Sequence, residues 1–331
     1  MKAWLSRDPG PADTMELVEI DAPQPAAGEL QVAVSAVSLN YPDALMLEDL
    51  YQTKPPRPFV PGTEFSGTVT ALGEGVTSFN LGDRVVCIAN GGLGETTVCK
   101  AAMAVKLPDA VPFDVGATLM MTYGTNIHAL LDRVHLKAGE TMLVLGAGGG
   151  IGMAAVELGK ALGARVVAAV SSPEKRDAVL AIGADEYVIY PRGDLDKAAS
   201  RELANQFKAA CPKGYDVIYD PVGGDYAEPA IRSIGWEGRY AVIGFTAGIP
   251  KMPLNLTLLK CCQVIGVFWG AWAMLNQDKY REEMQLIFDF VAEGKLKPLI
   301  SENFAFEDAP KALARMRGRG AVGKLVVTVA D

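Results

Sequence analysis

Histidine is almost absent from this chain. Its 331 residues contain two, His128 and His135, and neither stands in a metal-ligand spacing such as H-x-x-x-H. The five cysteines, Cys87, Cys99, Cys211, Cys261 and Cys262, form no C-x-x-C pair. A structural zinc of that type is excluded, and the ligand inventory argues against a metalloenzyme. The odd number and irregular spacing of the thiols also argue against a disulfide framework and fit reduced cysteines in cytosol. No run approaches the ~18 apolar residues that a membrane helix needs. The opening Met1-Lys2-Ala3-Trp4-Leu5-Ser6-Arg7-Asp8 lacks the apolar core of a signal peptide. A basic footprint is missing too: the net charge is -8, which disfavours nucleic-acid binding. The densest basic cluster, Arg315-Met316-Arg317-Gly318-Arg319, reads either as a solvated helix end or as a phosphate contact. A soluble, cytoplasmic protein with neither nucleic-acid nor membrane partners is expected.

What is present is glycine, 35 residues of it, in a chain that is 50% hydrophobic and 21% charged. The length suggests two domains. Residues 1 to about 122 are β-rich, with strands expected at 30–37, 64–72 and 83–88 and an irregular loop marked by Pro55, Pro56, Pro58 and Pro61. Near residue 123 the pattern changes. Short β-branched runs at 141–147, 164–170, 186–190, 216–220, 239–245 and 263–268 alternate with helical stretches such as 151–162 and 173–182. That alternation implies a parallel sheet covered on both faces, and six strands suit the doubly wound dinucleotide fold. Helices at 278–294 and 310–316 and a strand at 325–329 follow, and with no seventh βα unit this tail should return to the first domain. The α/β chain thus divides into 1–122 with 271–331, and 123–270.

The first strand of the alternating region runs into Gly146-Ala147-Gly148-Gly149-Gly150-Ile151-Gly152, and a helix follows. Glycine lets the backbone approach a pyrophosphate, and the helix N-terminus offers unpaired N–H groups and partial positive charge. Counted back from Gly152, the turn departs from G-x-G-x-x-G only in Ala147; the extra Gly148 is a possible compensation. NAD-binding folds end the second strand on Asp or Glu, which accepts from the ribose 2′-OH. Here it ends Val170-Ser171-Ser172, and the first acid is Glu174. Without a carboxylate to repel a 2′-phosphate, and with two serines, Ser171 and Ser172, and the charges of Lys175 and Arg176 at hand, NADPH is the expected cofactor. The alternative is that Ser-Ser-Pro-Glu is only a helix cap.

Several further motifs stand in a specific order: Ser38-Leu39-Asn40-Tyr41-Pro42-Asp43, Pro61-Gly62-Thr63-Glu64-Phe65-Ser66-Gly67, Leu81-Gly82-Asp83-Arg84-Val85, Tyr123-Gly124-Thr125, the glycine turn, Gly183-Ala184-Asp185, Asp220-Pro221-Val222-Gly223-Gly224 and Gly323-Lys324-Leu325-Val326. With them, essentially the whole chain resembles the zinc-free, zeta-crystallin-like quinone oxidoreductases of the medium-chain dehydrogenase/reductase superfamily. The resemblance implies a GroES-like β-rich catalytic domain beside a Rossmann domain with a doubly wound six-stranded parallel sheet. It implies no metal. Zinc-dependent relatives carry ligands at the positions of Asn40 and Thr63 and near 120–122, none of which is Cys or His here. It implies cofactor contacts from Gly149, Gly150, Ile151 and Gly152; from Ser171, Lys175, Tyr190 and Arg319 around the 2′-phosphate and adenosine; and from Asn40, Thr125, Phe245 and Val267 near the nicotinamide.

Hydride transfer to a quinone or enone needs little acid–base help, because the acceptor is already electrophilic; the protein positions the partners and excludes water. Asn40, Tyr41 and Tyr51 are the candidate acceptor-site residues, as donors or stacking surfaces, with Asp43 bracing them. Either tyrosine can equally be a core or rim residue with a satisfied hydroxyl. The function expected is NADPH:quinone reduction. Enone or enoyl-thioester (acyl-CoA) reduction is a second enzyme reading, and a non-catalytic crystallin-like or RNA-binding role is a reading of another class. The apolar stretch Val264 to Trp272, with an aromatic end that reads as exposed, suggests a homodimer through the Rossmann edge strand.

Overall fold

The computed structural model describes residues 1–318 and 320–330. It has two compact units. One comprises Met1–Met121, Ala273–Ala292 and Pro298–Asp331; the other comprises Thr122–Trp272 and Glu293–Lys297.

The second unit is built on six strands: Thr141–Val144, Arg165–Val170, Glu186–Ile189, Tyr215–Asp220, Ile234–Val242 and Gln263–Gly266. Numbered one to six in chain order, they lie three-two-one-four-five-six, and every neighbouring pair is parallel. This is the doubly wound dinucleotide-fold order. Strand two shows why its sequence is continuously apolar: Val166, Val167, Ala168, Ala169 and Val170 are all buried, as a sheet covered on both faces requires. The helix Pro173–Ala181 starts where Ser172 accepts from the Lys175 N–H at 3.4 Å and Pro173 takes the first turn. Asp196 caps Lys197–Ala210 in the same way, accepting from Ala199 at 2.8 Å.

The first unit holds a seven-stranded sheet. Its path runs Ile300–Ala305, Lys324–Thr328, Glu29–Leu39, Glu64–Leu72, Arg84–Ile88 and Ala104–Lys106, with Thr96–Lys100 also paired to Glu29–Leu39. The C-terminal strand therefore does return to the β-rich unit. Its core joins Leu30, Val32, Phe65 and Val85 to Phe306, Leu313, Leu325 and Val327. Each of the largest of these side chains contributes about 1.5–3 kcal/mol by leaving water.

Register decides what meets at one end of this sheet. Leu39 pairs with Leu325, and Ser38 pairs with Glu64. Asn40, one residue past the central strand, is thereby set beside Lys324 and Glu64. There the chain turns into the short helix Tyr41–Leu47, with Pro42 in its first turn and a capping box between Asn40 and Asp43.

One reading needs correction. The stretch after strand six is exposed at Phe268 but not at Trp269, which is buried and opens the helix Trp269–Leu275. Gly124 makes room for that indole, since a Cβ there would lie 2.7 Å from the Trp269 ring. In the basic cluster Arg315 pairs with Glu302 at 3.0 Å and Arg317 with Glu48 at 2.8 Å, while Arg319, which carried the phosphate reading, lies outside the described residues.

Candidate active site

In the Rossmann unit the glycine turn, Ser171, Tyr190, Phe245 and Val267 follow the C-terminal ends of the strands, the edge where open α/β sheets bind ligands. Strand one leads into the glycine turn. Gly146 has φ +60, a conformation that favours glycine. A Cβ on Gly152 would lie 2.3 Å from the Gly146 carbonyl oxygen and 2.7 Å from the Ala147 Cα. Both obstacles are backbone, so only glycine lets the helix Gly150–Ala161 start this close to the strand. Gly149 caps that helix without any side chain, and the first-turn N–H groups, including those of Gly150, Ile151 and Gly152, have no intrahelical acceptor. The turn thus fits a dinucleotide pyrophosphate. Gly148 has its own cause: a Cβ there would meet the Lys175 methylenes at 2.8 Å. The additional glycine is where the lysine stem crosses the turn.

Ser171 follows strand two. Its hydroxyl accepts from Arg192 Nε at 3.2 Å, a contact between residues 21 apart that local sequence does not signal. Tyr190 follows strand three; it is buried, tilted against Tyr226 with ring centroids 4.9 Å apart, and its hydroxyl is pushed up by burial. Asp220 ends strand four. Its Oδ1 accepts from the N–H groups of Val222 and Gly223 at 2.8 and 2.9 Å, and its Oδ2 accepts from the Tyr240 hydroxyl at 2.6 Å. This carboxyl fixes the following turn. Phe245 follows strand five and is exposed, and Val267 follows strand six. Thr125 lies apart from these strand ends, buried in the helical segment that precedes strand one. Arg319 lies outside the described residues.

In the β-rich unit the expected site residue Asn40 sits on a buried polar network. Lys324 Nζ donates to Asn40 Oδ1 at 2.7 Å and to Glu64 Oε2 at 3.2 Å. Asn40 Nδ2 donates to Glu64 Oε2 at 2.9 Å and to the Ser38 carbonyl at 3.3 Å. Glu64 Oε1 accepts from the Met121 N–H at 2.7 Å. An ammonium only donates and a carboxylate only accepts, so this pair fixes which end of the Asn40 amide faces which partner. Both amide hydrogens of Asn40 are spent inside the protein. Its neighbour Asp43 accepts from the Asn40 N–H at 2.7 Å and from the Thr63 N–H and hydroxyl at 3.0 and 2.7 Å. Burial pushes the Asp43 carboxyl up to about 6 against these donors. Asp43 thus ties the start of the short helix to Thr63.

Tyr41 opens the short helix. Arg317 donates to its hydroxyl at 2.8 Å and grips Glu48 through two bonds of 2.8 and 2.9 Å. The guanidinium holds the Glu48 carboxyl below the usual range. Tyr51 is half-buried against the core, and burial raises its hydroxyl. The network therefore unites Asn40 with Asp43, Glu64 and Lys324, and separately joins Tyr41 to Arg317. Lys324 is 284 residues from Asn40, and only the strand register reveals the link.

Comparisons with known proteins place this architecture. Residues 26–109 match the family described as alcohol dehydrogenase GroES-like domain, and residues 150–289 match the one described as zinc-binding dehydrogenase. A quinone oxidoreductase-like protein 2 homolog of Nematostella vectensis is 36% identical over 304 residues, covering 90% of this chain and 81% of the relative. The chain belongs to the medium-chain dehydrogenase/reductase family of oxidoreductases. Among solved structures of this family, Escherichia coli quinone oxidoreductase complexed with NADPH superimposes with a TM-score of 0.89 at 26% identity, over 99% of this chain and 100% of that one. A polyketide synthase of Streptomyces halstedii is 32% identical over 306 residues, 91% of this chain but 5% of that protein. Medium-chain family membership accounts for the pairing of a β-rich unit with a Rossmann unit.

Proposed function

We propose that the chain is an NADPH-dependent, zinc-independent reductase that passes a hydride to a quinone or another conjugated carbonyl. The observation that carries this reading is the end of strand two, where Ser171 replaces the carboxylate of NAD-binding folds, with Lys175 and Arg192 beside it. The quinone oxidoreductase relatives, one of them solved with NADPH, support it. When bound, NADPH supplies the hydride from its nicotinamide ring. The chain's own part is to bind and orient. Gly149, Gly150, Ile151 and Gly152 would cradle the pyrophosphate, Ser171, Lys175 and Tyr190 would hold the adenosine and its 2′-phosphate, and Phe245 and Val267, past strands five and six, would lie towards the nicotinamide. Because the Asn40 amide hydrogens are committed to Glu64 and Ser38, donation to the acceptor oxygen falls to Tyr41 and Tyr51. A hydride and a proton together convert a quinone to a hydroquinone.

Zinc independence is supported by donor chemistry. Where zinc-dependent relatives carry ligands, this chain has Asn40 and Thr63, and the Asn40 oxygen already accepts from a buried ammonium. A metal ion there would have to displace Lys324. Activity is expected to survive prolonged treatment with EDTA or 1,10-phenanthroline within about twofold.

The same hydride step reduces a C=C bond conjugated to a carbonyl, and the polyketide synthase relative favours keeping that second reading. A panel of 1,2- and 1,4-quinones, α,β-unsaturated ketones and enoyl-CoA thioesters, with product analysis, separates them. Hydroquinone as the main product supports the first reading; a saturated ketone or thioester formed at least tenfold faster would replace it with the second. No turnover of any acceptor would return the non-catalytic reading.

A homodimer forms part of the proposal. Strand six is an unpaired sheet edge, and Val264 and Phe268 beside it and Leu258 and Leu259 in the preceding helix are exposed. Light scattering at micromolar concentration is expected to give twice the chain mass, and a monomeric mass would count against it. Among the described residues, no helix is long and apolar enough to cross a membrane.

A further inference from the structure

Strands two and three pair in parallel with Val170 opposite Ile189. The chain leaves both strands at the same edge of the sheet, so residues just beyond them emerge side by side. Ser171 is the first residue past strand two, and Arg192 is the third past strand three. Arg192 Nε donates to the Ser171 hydroxyl at 3.2 Å. Among the described residues, Arg192 forms no ion pair, and this is its one hydrogen bond, although Asp194 and Asp196 follow closely in sequence. Its four terminal N–H groups are left without a protein acceptor, on an exposed side chain whose base is tethered. The Arg192 charge also acts on the Tyr190 hydroxyl, opposing the effect of burial there. A guanidinium fastened at this strand end, uncommitted to any carboxylate, lacks a partner of opposite charge.

The chemistry that would complete it is a phosphate monoester. A 2′-phosphate carries about -1.5 to -2 charges at pH 7 and three acceptor oxygens, whereas a ribose 2′-hydroxyl carries no charge. The planar fork of arginine matches phosphate with two parallel bonds. We infer that Arg192 is a ligand of the cofactor 2′-phosphate, held in place by Ser171, and that it sets the preference for NADPH over NADH. Ser171 then acts both as a donor and as the anchor of the arginine. This rests on the reading that the glycine turn binds a dinucleotide.

The test is the dissociation constant of NADPH and of NADH, measured by nucleotide fluorescence for the unaltered protein and for the Arg192→Gln and Arg192→Lys variants. Circular dichroism checks that each variant is folded. Arg192→Gln is expected to weaken NADPH about tenfold or more and to leave NADH within about twofold. Arg192→Lys restores part of the loss, because the charge returns without the fork. Raising the salt concentration should erode NADPH binding in the unaltered protein more than in Arg192→Gln. NADPH affinity unchanged in Arg192→Gln, or both nucleotides weakened equally, would overturn the assignment while leaving dinucleotide binding intact. An unaltered protein that binds neither nucleotide would overturn the dinucleotide reading itself, and this inference with it.

Discussion

Lys324→Met is expected to destabilise the chain by about 3–5 kcal/mol, because it strands the carboxylate of Glu64 in the interior. Both side chains are buried, at 5% and 0% exposure. Methionine approximates the length of lysine, so packing is largely kept while the ammonium is lost. Glu64 would retain the N–H donors of Asn40 and Met121 but not the countercharge, and Asn40 Oδ1 would lose its donor. The melting temperature should fall on the order of 10 °C. Adding Glu64→Gln should recover more than half of the loss, since the double variant buries no unpaired charge. A fall below about 1 kcal/mol in the single variant, or no recovery in the double, would mean that the pair does not act as a unit. Activity provides a second reading. Lys324 and Glu64 fix the Asn40 amide, so the double variant should regain stability without regaining full turnover.

Gly152→Val is expected to abolish dinucleotide binding, with at least a hundredfold loss of NADPH affinity, and to cost about 3 kcal/mol of stability. The Cβ would sit 2.3 Å from the Gly146 oxygen and 2.7 Å from the Ala147 Cα. Neither can rotate away, so the helix must retreat from strand one and carry its N–H groups with it. Gly149→Ala is the control. Its φ of -94 is ordinary, and the nearest atom to a Cβ there, the Gly146 oxygen, is 3.6 Å away. That variant should fold with stability within about 0.5 kcal/mol yet weaken NADPH, because its methyl group stands where the pyrophosphate approaches. Calorimetric titration and thermal unfolding of both variants separate the two effects. Equal loss of affinity in the two without destabilisation by valine would contradict this account of the turn.

The parts of the fold legible in the sequence are those with continuous apolar, β-branched runs. Strands one, two and four show as apolar runs because both faces are covered, whereas the edge strands three and six are apolar in sequence yet partly exposed; the expected ends also differ, since strand one stops at Val144 and strand five runs Ile234–Val242, starting earlier and ending earlier than expected. Short or polar strands left no such trace. Lys2–Leu5, Glu16–Glu19 and Ile300–Ala305 alternate weakly, or expose charged residues, and owe their existence to pairing partners elsewhere in the chain. The irregular helical stretch from Met120 to Arg133 likewise follows from tertiary packing, including the space that Gly124 leaves for Trp269. The candidate site divides in the same way. The glycine turn and the serine after strand two are local and can be read directly. Lys324 and Arg192 act through residues 284 and 21 positions away, and their significance emerges only with the strand register. The burial of Trp269 leaves no trace in the sequence, because an aromatic at the end of an apolar run looks the same whether it faces solvent or a glycine.

NADPH oxidation at 340 nm with a simple 1,4-quinone, after chelator treatment and with NADH in parallel, separates a zinc-free NADPH reductase from its alternatives. Turnover with NADPH is expected at least tenfold above that with NADH, with no loss on chelation. Equal or faster turnover with NADH, or activity that disappears with the chelator and returns with zinc, would contradict this expectation.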